Sequence, residues 1–283
     1  LLNNRRRESA LSLVEMLVAS TLLVVILLGL MLMFNQTQRA FRTGMRQNDI
    51  METGRAVMSM ITRDIEQMAA AHRWDVTNVQ VRLQSGIDPV RFTPPGGVQQ
   101  TNFLHTFFFH KNHGNWEGVG YRVLNSTISG TSTEERARLS QTGDVLVGAL
   151  YVFRTNAPDP TPDLLNRFHG PILPMVDDKV MRRLADGVVH LRVTLYDHQG
   201  NLFTNTVPDE VYLNDSTQEV SLSGSRLPGS VDIELGILEP QVMDRLRPLI
   251  ANGNEAAIRN FLINNAGQIH IFRSKIPIRT VAR

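Results

Sequence analysis

The feature that most limits how this chain can fold is an uncharged apolar run of 19 residues, from Met16 to Phe34. Within this run only Ser20, Thr21 and Gly29 are polar or weakly apolar. A helix needs about 20 consecutive apolar residues to cross the hydrocarbon layer of a bilayer. The run therefore predicts one membrane-spanning helix near the N-terminus, separate from any water-soluble core.

Three arginines, Arg5, Arg6 and Arg7, lie shortly before this run. Because short segments rich in Arg and Lys stay on the cytoplasmic side, they predict a cytoplasmic N-terminus and an extracytoplasmic remainder after Phe34. A cleaved secretory signal would have an apolar region of about 7–15 residues with a small-residue cleavage site after it. The run here is longer, and no such site follows it. The pattern favours a retained single-pass anchor.

A single carboxylate, Glu15, directly precedes the run. An ionisable side chain inside a spanning segment costs roughly 2.5 kcal/mol or more near the bilayer centre and less towards its edge, and it usually has a function. Two interpretations are open. Glu15 either meets a positive charge within the membrane or extends its side chain to the lipid headgroups, and we favour the first.

Composition excludes several classes of function. The formal net charge is +2, but residues 1–10 hold three arginines and one glutamate, and without them 26 basic and 26 acidic residues remain. The rest of the chain is neutral, so we expect no nucleic-acid partner. The absence of cysteine excludes disulfides, Cys-ligated zinc, iron–sulfur clusters and thiol catalysis.

Beyond Phe34 the helical pattern continues but becomes amphipathic. Apolar residues recur at helical spacing on one face, at Phe41, Met45, Met51, Met58, Ile61, Ile65 and Met68. The first proline of the chain is Pro89, so one helix is predicted from about Leu13 to Ala71, roughly 90 Å long at about 1.5 Å per residue. The methionines of this stripe either form an adaptable interface or, as we favour, ordinary core.

From Val76 onward the apolar period changes from that of a helix to that of a strand, which predicts an α+β protein with an antiparallel, β-rich head. The strand candidates are 79–83, 102–110, 118–124, 144–153, 188–196, 231–237 and 269–272. If 188–196 and 231–237 are neighbours, Arg192 can pair with an acidic residue across the outer face, worth about 0.2–1 kcal/mol.

Three other segments are predicted outside the strands. Residues 241–250 and 254–265 indicate two short helices with apolar faces. Residues 156–174 hold five of the thirteen prolines and are expected to form a surface loop.

The sequence contains no pattern typical of a catalytic or metal site. His105, His110 and His113 form the densest histidine group, but no carboxylate follows at a clear ligand spacing. The acidic pairs Asp159/Asp163 and Asp177/Asp178 lack the spacing of a calcium loop. Ser223-Gly224-Ser225 is not a nucleophile elbow, and no phosphate-binding loop is present. We therefore expect no enzymatic activity, no metal and no cofactor.

The hexapeptide Ala10-Leu11-Ser12-Leu13-Val14-Glu15 resembles the class III signal of type IV pilins and type II secretion pseudopilins. The resemblance implies that a prepilin peptidase cuts between Ala10 and Leu11 and that Leu11 becomes the N-methylated mature N-terminus. Most members have Gly before the cut and Phe after it, where this chain has Ala and Leu. In an assembled bundle, Glu15 would neutralise the N-terminal amine of a neighbouring subunit and set the axial register.

Three further segments resemble elements of the J-type minor pseudopilins and the related W-type minor pilins: 61–68 with a following Arg73, 184–197, and 226–231. The first carries an Arg-Asp-apolar element, Arg63-Asp64, which we expect to contact the head. The family often has tryptophan after the Tyr-ending strand, and here Leu202-Phe203 is expected to fill that space.

The resemblance implies a division of the chain into functional segments. Residues 1–10 would be the prepilin leader, 11–34 the transmembrane half and 35–72 the amphipathic half of the N-terminal helix. Residues 73–283 would form the extracytoplasmic pseudopilin head, with a helical insertion at 239–266.

The implied function is that of a minor pilin or pseudopilin subunit that helps to initiate or cap a secretion pseudopilus or a type IV pilus. Its partners would be other pilin or pseudopilin subunits, the prepilin peptidase and the lipid bilayer, in the cytoplasmic membrane with the head in the periplasm. Two alternatives remain open: a single-pass membrane-anchored sensor or binding protein, and an anchored periplasmic enzyme.

Overall fold

A computed structural model describes most of the chain, in eight stretches: residues 13–84, 90–92, 100–112, 114–124, 146–169, 181–203, 211–214 and 219–278. The chain divides into two compact units, Leu1–Asp49 and Ile50–Arg283. One helix, α1 (Leu13–Ile65), supplies the described part of the first unit and the first element of the second.

The first unit is the apolar part of α1. Its stretch Leu13–Phe41 is long and apolar enough to cross a membrane, and none of it is buried within the protein. The hydroxyls of Ser20 and Thr21 donate to the carbonyl of Leu17, at 2.9 and 3.1 Å, so their polar groups are satisfied inside the helix. By length and composition, this stretch agrees with the single span that the sequence predicts.

The second unit begins with the end of α1, which buries one face. The buried helix residues of the main core are Ile50, Val57, Met58, Ile61 and Ile65. The predicted stripe is thus confirmed as core from Met58 onward, whereas Phe41, Met45 and Met51 are exposed.

The helix ends six residues before the predicted end. After Ile65 the chain turns, and Met68 forms an isolated β-bridge with Lys111. The amide of Ala69 then donates to the carbonyl of His110 at 2.9 Å. The backbone of this segment forms its hydrogen bonds with a strand. The chain therefore leaves the helix after Ile65, although the apolar residues keep their helical spacing up to Ala71.

The described strands are β1 to β11 in chain order: Arg73–Leu83, Arg91–Phe92, Gln100–Thr101, His105–Asn112, Trp116–Leu124, Gly148–Ala157, Met181–Tyr196, Val211–Asn214, Glu219–Gly224, Ser230–Leu238 and Ile269–Pro277. Nine of them form one sheet in the order β11-β10-β7-β6-β5-β4-β1-β9-β8, and β2 pairs with β3. All described strand pairs are antiparallel. The predicted α+β class is therefore confirmed.

The sheet curls, because β7 is long enough to meet two neighbours along one side. Its first half pairs with β6, up to Val188 opposite Gly148. Further along, the amide of Leu191 donates to the carbonyl of Phe103 at 2.7 Å, and Leu104 bridges Leu191. The segment before β4 therefore lies beside β7.

The main core fills the space between α1 and the sheet. Strand residues contribute to it in alternation, as shown by Phe107 and Phe109 of β4 and by Val231 and Ile233 of β10. Burying a large aliphatic or aromatic side chain stabilises the fold by about 1.5–3 kcal/mol. Of the pair expected to replace a tryptophan, Phe203 packs against this core and Leu202 is half exposed.

The predicted surface loop at 156–174 is wrong for its central part, where α2 (Pro162–His169) forms. Leu164 and Phe168 of α2 are buried together with Phe108 and Phe153. Proline is favoured in the first turn of a helix because its missing N–H has no partner there. Of the five prolines that suggested a loop, Pro158 and Pro160 precede the helix and Pro162 begins it, and Pro171 and Pro174 lie outside the described residues.

The two helices predicted near the C-terminus are confirmed as α3 (Pro240–Ala251) and α4 (Glu255–Asn264). Both bury apolar faces in a second core cluster, which includes Val242, Leu246 and Leu262. The side chain of Asn254 caps α4 by accepting a hydrogen bond from the amide of Ala257 at 3.0 Å.

Candidate functional site

Glu15 lies in the first turn of α1, exposed and surrounded by exposed apolar side chains. Leu13 and Met16 beside it are 82% and 64% exposed. A carboxylate is favoured at this end of a helix, because the unpaired backbone N–H groups give it partial positive charge. Ala10 and Leu11, the predicted cleavage residues, lie outside the described residues, so cleavage and N-methylation stay predictions.

The apolar surface behind Glu15 is far larger than a water-soluble protein tolerates. Large exposed hydrophobic side chains follow one another from Leu22 to Leu28 and again from Leu30 to Phe34. Proteins in water rarely expose contiguous apolar patches beyond a few hundred Å². A surface of this kind is typical of a helix that lipid or other apolar helices cover, and Glu15 sits at its edge.

A second polar feature lies at the opposite end of α1, where Asp64 is buried against the sheet with 5% of its surface exposed. Its Oδ2 accepts hydrogen bonds from the Tyr121 hydroxyl at 2.6 Å and from Nη2 of Arg154 at 2.5 Å. Its Oδ1 accepts from Nζ of Lys111 at 3.2 Å. Three different strands therefore hold one helix carboxylate.

Glu117 completes this cluster, which we call the Asp64 network. Its carboxylate lies 3.0 Å from Nζ of Lys111 and 3.3 Å from Nη1 of Arg154. Two acids and two bases thus share a site with matched charge, which limits the cost of burying them. Burial, reinforced by the nearby carboxylate of Asp64, raises the pKa of Tyr121 far above its usual range, so the phenol remains a donor.

The expectation that Arg63 and Asp64 both contact the head holds for Asp64 only. Arg63 is exposed, and in the part of the chain that the structure describes it makes no hydrogen bond or ion pair. Consecutive helix residues point about 100° apart, so the two side chains cannot share one buried partner.

The partners of Asp64 were not identified from the sequence. Lys111 and Glu117 lie directly opposite each other in the β4–β5 hairpin, and a charged pair flanking a tight turn is the signal that could have indicated them. Nothing in the linear sequence connects that hairpin with Asp64.

Strands β7 and β10, which contain 188–196 and 231–237, are neighbours, and Glu234 lies directly opposite Arg192. The ion pair expected between Arg192 and an acidic residue does not form with Glu234. Glu234 lies 2.6 Å from Nη2 of Arg273 and 3.3 Å from Nε2 of His190, whereas Arg192 lies over the ring of Phe103, 5.3 Å from its centroid.

The histidines of the predicted group do not converge. His105 and His110 are both buried, but they lie on opposite faces of β4, since an odd number of positions separates them. His113 lies outside the described residues. Burial lowers the pKa of each of the two to about 4, so both are neutral at physiological pH. Within the described stretches, no group of three or more acidic or histidine side chains is placed to hold a metal ion.

The remaining acidic and serine candidates have ordinary surroundings. Asp163 pairs with Arg167 one helical turn later at 2.8 Å, and Asp177 and Asp178 lie outside the described residues. Ser225 contacts the ring of His72 at 3.1 Å. Comparisons with protein-family models, with curated proteins and with solved structures found no match for this chain.

Proposed function

We propose that this chain is a minor pilin or pseudopilin subunit, which is stored in the cytoplasmic membrane and joins a helical fibre through α1. One observation carries the proposal. A single helix, Leu13–Ile65, has an uncovered apolar part with a carboxylate in its first turn. The end of the same helix packs one face against an antiparallel sheet.

The continuity of α1 supports an assembly role over simple anchoring. An anchor needs only about 20 apolar residues and tolerates a flexible connection to its domain. Here α1 continues for 53 residues, and Asp64 near its end is tied to three strands. The end of α1 is therefore part of the core of the second unit, which favours a subunit that joins its neighbours through this helix.

Glu15 has a defined role in this proposal. Next to the amine of a neighbouring subunit, its carboxylate would form one charge pair in place of two isolated charges in a medium of low dielectric. The pair would fix how far one helix is shifted along the next. The proposal includes removal of residues 1–10, an N-methylated Leu11, a periplasmic head and no catalytic activity.

Mass spectrometry of the mature N-terminus tests the proposal most directly. The chain is expressed in cells with and without a prepilin peptidase, and the N-terminal peptide is sequenced. We expect an N-methylated Leu11 only when the peptidase is present. A chain that is unprocessed in both strains, or one cut after Phe34, would contradict a pilin-type subunit and favour an ordinary anchored or secreted protein.

A further inference from the structure

The Asp64 network holds one amine and two carboxylates in direct contact inside the second unit. Nζ of Lys111 lies 3.2 Å from Oδ1 of Asp64 and 3.0 Å from Oε2 of Glu117. Lys111 and Asp64 are only 6% and 5% exposed, so their contact is shielded from water. A buried amine beside one carboxyl group, with a second carboxylate next to both, has the parts of an amide-forming site: a nucleophile, an acyl group and a proton carrier.

The two oxygens of the Asp64 carboxylate have different surroundings. Oδ2 accepts hydrogen bonds from the Tyr121 hydroxyl at 2.6 Å and from Nη2 of Arg154 at 2.5 Å, whereas Oδ1 accepts from Nζ of Lys111. Donors fixed on one oxygen stabilise the negative charge that gathers there when a nucleophile adds to the carboxyl carbon. The other oxygen is then the one that leaves. The carboxyl group of Asp64 is therefore held as an acceptor for the amine.

Glu117 occupies the position of a proton carrier. Its Oε2 contacts Nζ of Lys111, and its Oε1 lies 3.3 Å from Nη1 of Arg154, which keeps the carboxylate in place. A carboxylate about 3 Å from an amine can take a proton from it and deliver that proton to a departing oxygen. The side chain of Glu117 is 22% exposed, so this edge of the network is open to solvent and a released water can leave there.

The balance of charges favours an amide over the ion pair. As ions, Lys111 and Asp64 both give up their hydration in the interior, and their attraction offsets this cost only in part. An amide between them is neutral, and it leaves Glu117 and Arg154 as a matched pair. The amide oxygen would keep the donors that Oδ2 has now, from Tyr121 and Arg154, and the amide N–H would donate to Glu117.

We propose that Lys111 and Asp64 join in an amide bond between their side chains, which ties the end of α1 covalently to β4. Glu117 takes a proton from the Nζ ammonium, and the nitrogen lone pair forms a bond to Cγ of Asp64. The bond from Cγ to Oδ1 then breaks, and this oxygen leaves as water with the two protons that Nζ gives up through Glu117. Ammonium and carboxylate together lose one water, so no co-reactant is needed. The reaction occurs once in each chain and is independent of the fibre role proposed above.

The mass of the purified full chain tests the proposal. We expect an intact mass about 18 Da, one water, below that calculated for the mature sequence, whose N-terminus the same digest identifies. Trypsin does not cut after an acylated lysine, so it should release residues 64–73 joined to residues 92–122. An intact mass equal to the calculated one, with 92–111 released as a free peptide, would overturn the proposal. A loss of water confined to 92–122 would place the amide on Glu117 and would overturn it as well.

Three variants separate the reaction from the packing, each followed by mass after cell-free synthesis into lipid nanodiscs. Lys111→Arg keeps a cation beside Asp64 but supplies no nucleophilic amine, so its mass should equal the calculated mass. Glu117→Gln removes the proton carrier at constant size and should slow the loss of water about tenfold or more. Glu66→Gln makes the same chemical change at an exposed position and should react as the unaltered chain does.

Two results with these variants would contradict the assigned roles: a missing water in Lys111→Arg, or an unaltered rate in Glu117→Gln. The comparison of the unaltered chain with its calculated mass needs no variant, so it decides the question even if a substitution impairs folding.

Discussion

The Tyr121 hydroxyl in the middle of the sheet donates a 2.6 Å hydrogen bond to the carboxylate of Asp64, near the end of α1. Because both groups are buried and the hydrogen bond is directional, it fixes the rotation of the helix about its axis as well as its contact with the sheet. Apolar packing alone would tolerate small rotations of α1. Within the second unit, the Asp64 network therefore specifies which residues at the end of α1 face away from the sheet.

Loss of the Asp64 carboxylate should destabilise the head. In Asp64→Leu the bases Lys111 and Arg154 keep only Glu117 as an acidic partner. Removing one partner of a buried ion pair costs about 3 kcal/mol. Urea unfolding of the full chain in detergent measures this loss. Arg63→Gln, at the adjacent exposed position, is the control and should stay within about 0.5 kcal/mol of the unaltered chain. Equal stability of the two variants would show that the network is not structural.

Gly54 should tolerate no branched side chain. The ring of Phe272 from β11 occupies the space that a Cβ at Gly54 would need. We expect Gly54→Val to lower the free energy of unfolding by about 1–3 kcal/mol through overpacking. Ala56→Val, exposed on the same helix, controls for the lower helix propensity of valine. If both variants unfold at the same urea concentration, the contact between Gly54 and Phe272 is not tight.

Helix α2 should detach when its aromatic anchor is removed. The ring of Phe168 lies 5.5 Å from that of Phe108 and 5.6 Å from that of Phe153, and it covers Gly120. Replacing a buried Phe by Ala costs about 3–5 kcal/mol, so in Phe168→Ala we expect local opening. Trypsin should then cleave after Arg167 faster than in the unaltered chain. Asn166→Ala, at an exposed position, should be cleaved at the unaltered rate.

Acid should destabilise the head through its buried histidines. Burial lowers the pKa of His110 from 6.5 to about 4. The unfolded chain therefore binds a proton that the folded chain does not, and stability that is complete above pH 6.5 is lost as the pH falls towards about 4. At about pH 5, the loss in the free energy of unfolding should be about 2 kcal/mol smaller in His110→Phe than in the unaltered chain. At about pH 7.5 the substitution should change stability little.

Urea unfolding at the two pH values measures the effect of His110→Phe. His198→Gln, at an exposed position, is the matched variant and should leave the pH dependence as it is in the unaltered chain. An equal loss of stability in acid for His110→Phe and the unaltered chain would contradict the assignment. Some pH dependence should remain in any case, because burial also lowers the pKa of His105 to about 4.

Glu15→Leu should separate membrane insertion from assembly. The substitution removes a charge from the edge of the apolar surface, so insertion should be unaffected or improved. If Glu15 pairs with a neighbouring amine, its loss should reduce incorporation into sheared fibres about tenfold or more. Glu15→Asp keeps the charge and should restore part of the incorporation. Full incorporation of Glu15→Leu would contradict the charge-pairing role.

Element types were predictable from the sequence because they depend on local periodicity. The apolar spacing of α1 and the alternation in β7 and β10 indicated these elements without knowledge of their partners. Strand β9 was missed, since Glu219–Gly224 is rich in Ser and has one buried aliphatic residue, Leu222. Helix α2 was missed because prolines surround its two buried residues.

The polar sites depend on contacts between distant parts of the chain and could not be predicted in the same way. Asp64 lies 47, 57 and 90 positions from Lys111, Tyr121 and Arg154. Their meeting depends on the strand order and on the rotation of α1, neither of which the local pattern specifies. Arg192 likewise lies over the ring of Phe103 because the sheet curls, whereas the sequence suggested only a pair with an acidic residue across the outer face.

The burial pattern of α1 also indicates where the chain can be shortened. Among the helix residues whose side chains the structure describes, Ile50 is the first that is buried, and it is the first residue of the second unit. A chain that begins about one turn before Ile50 keeps the core residues and the Asp64 network and lacks the uncovered apolar stretch. Such a fragment should dissolve without detergent, so that its crystallisation and unfolding measurements can proceed in plain buffer.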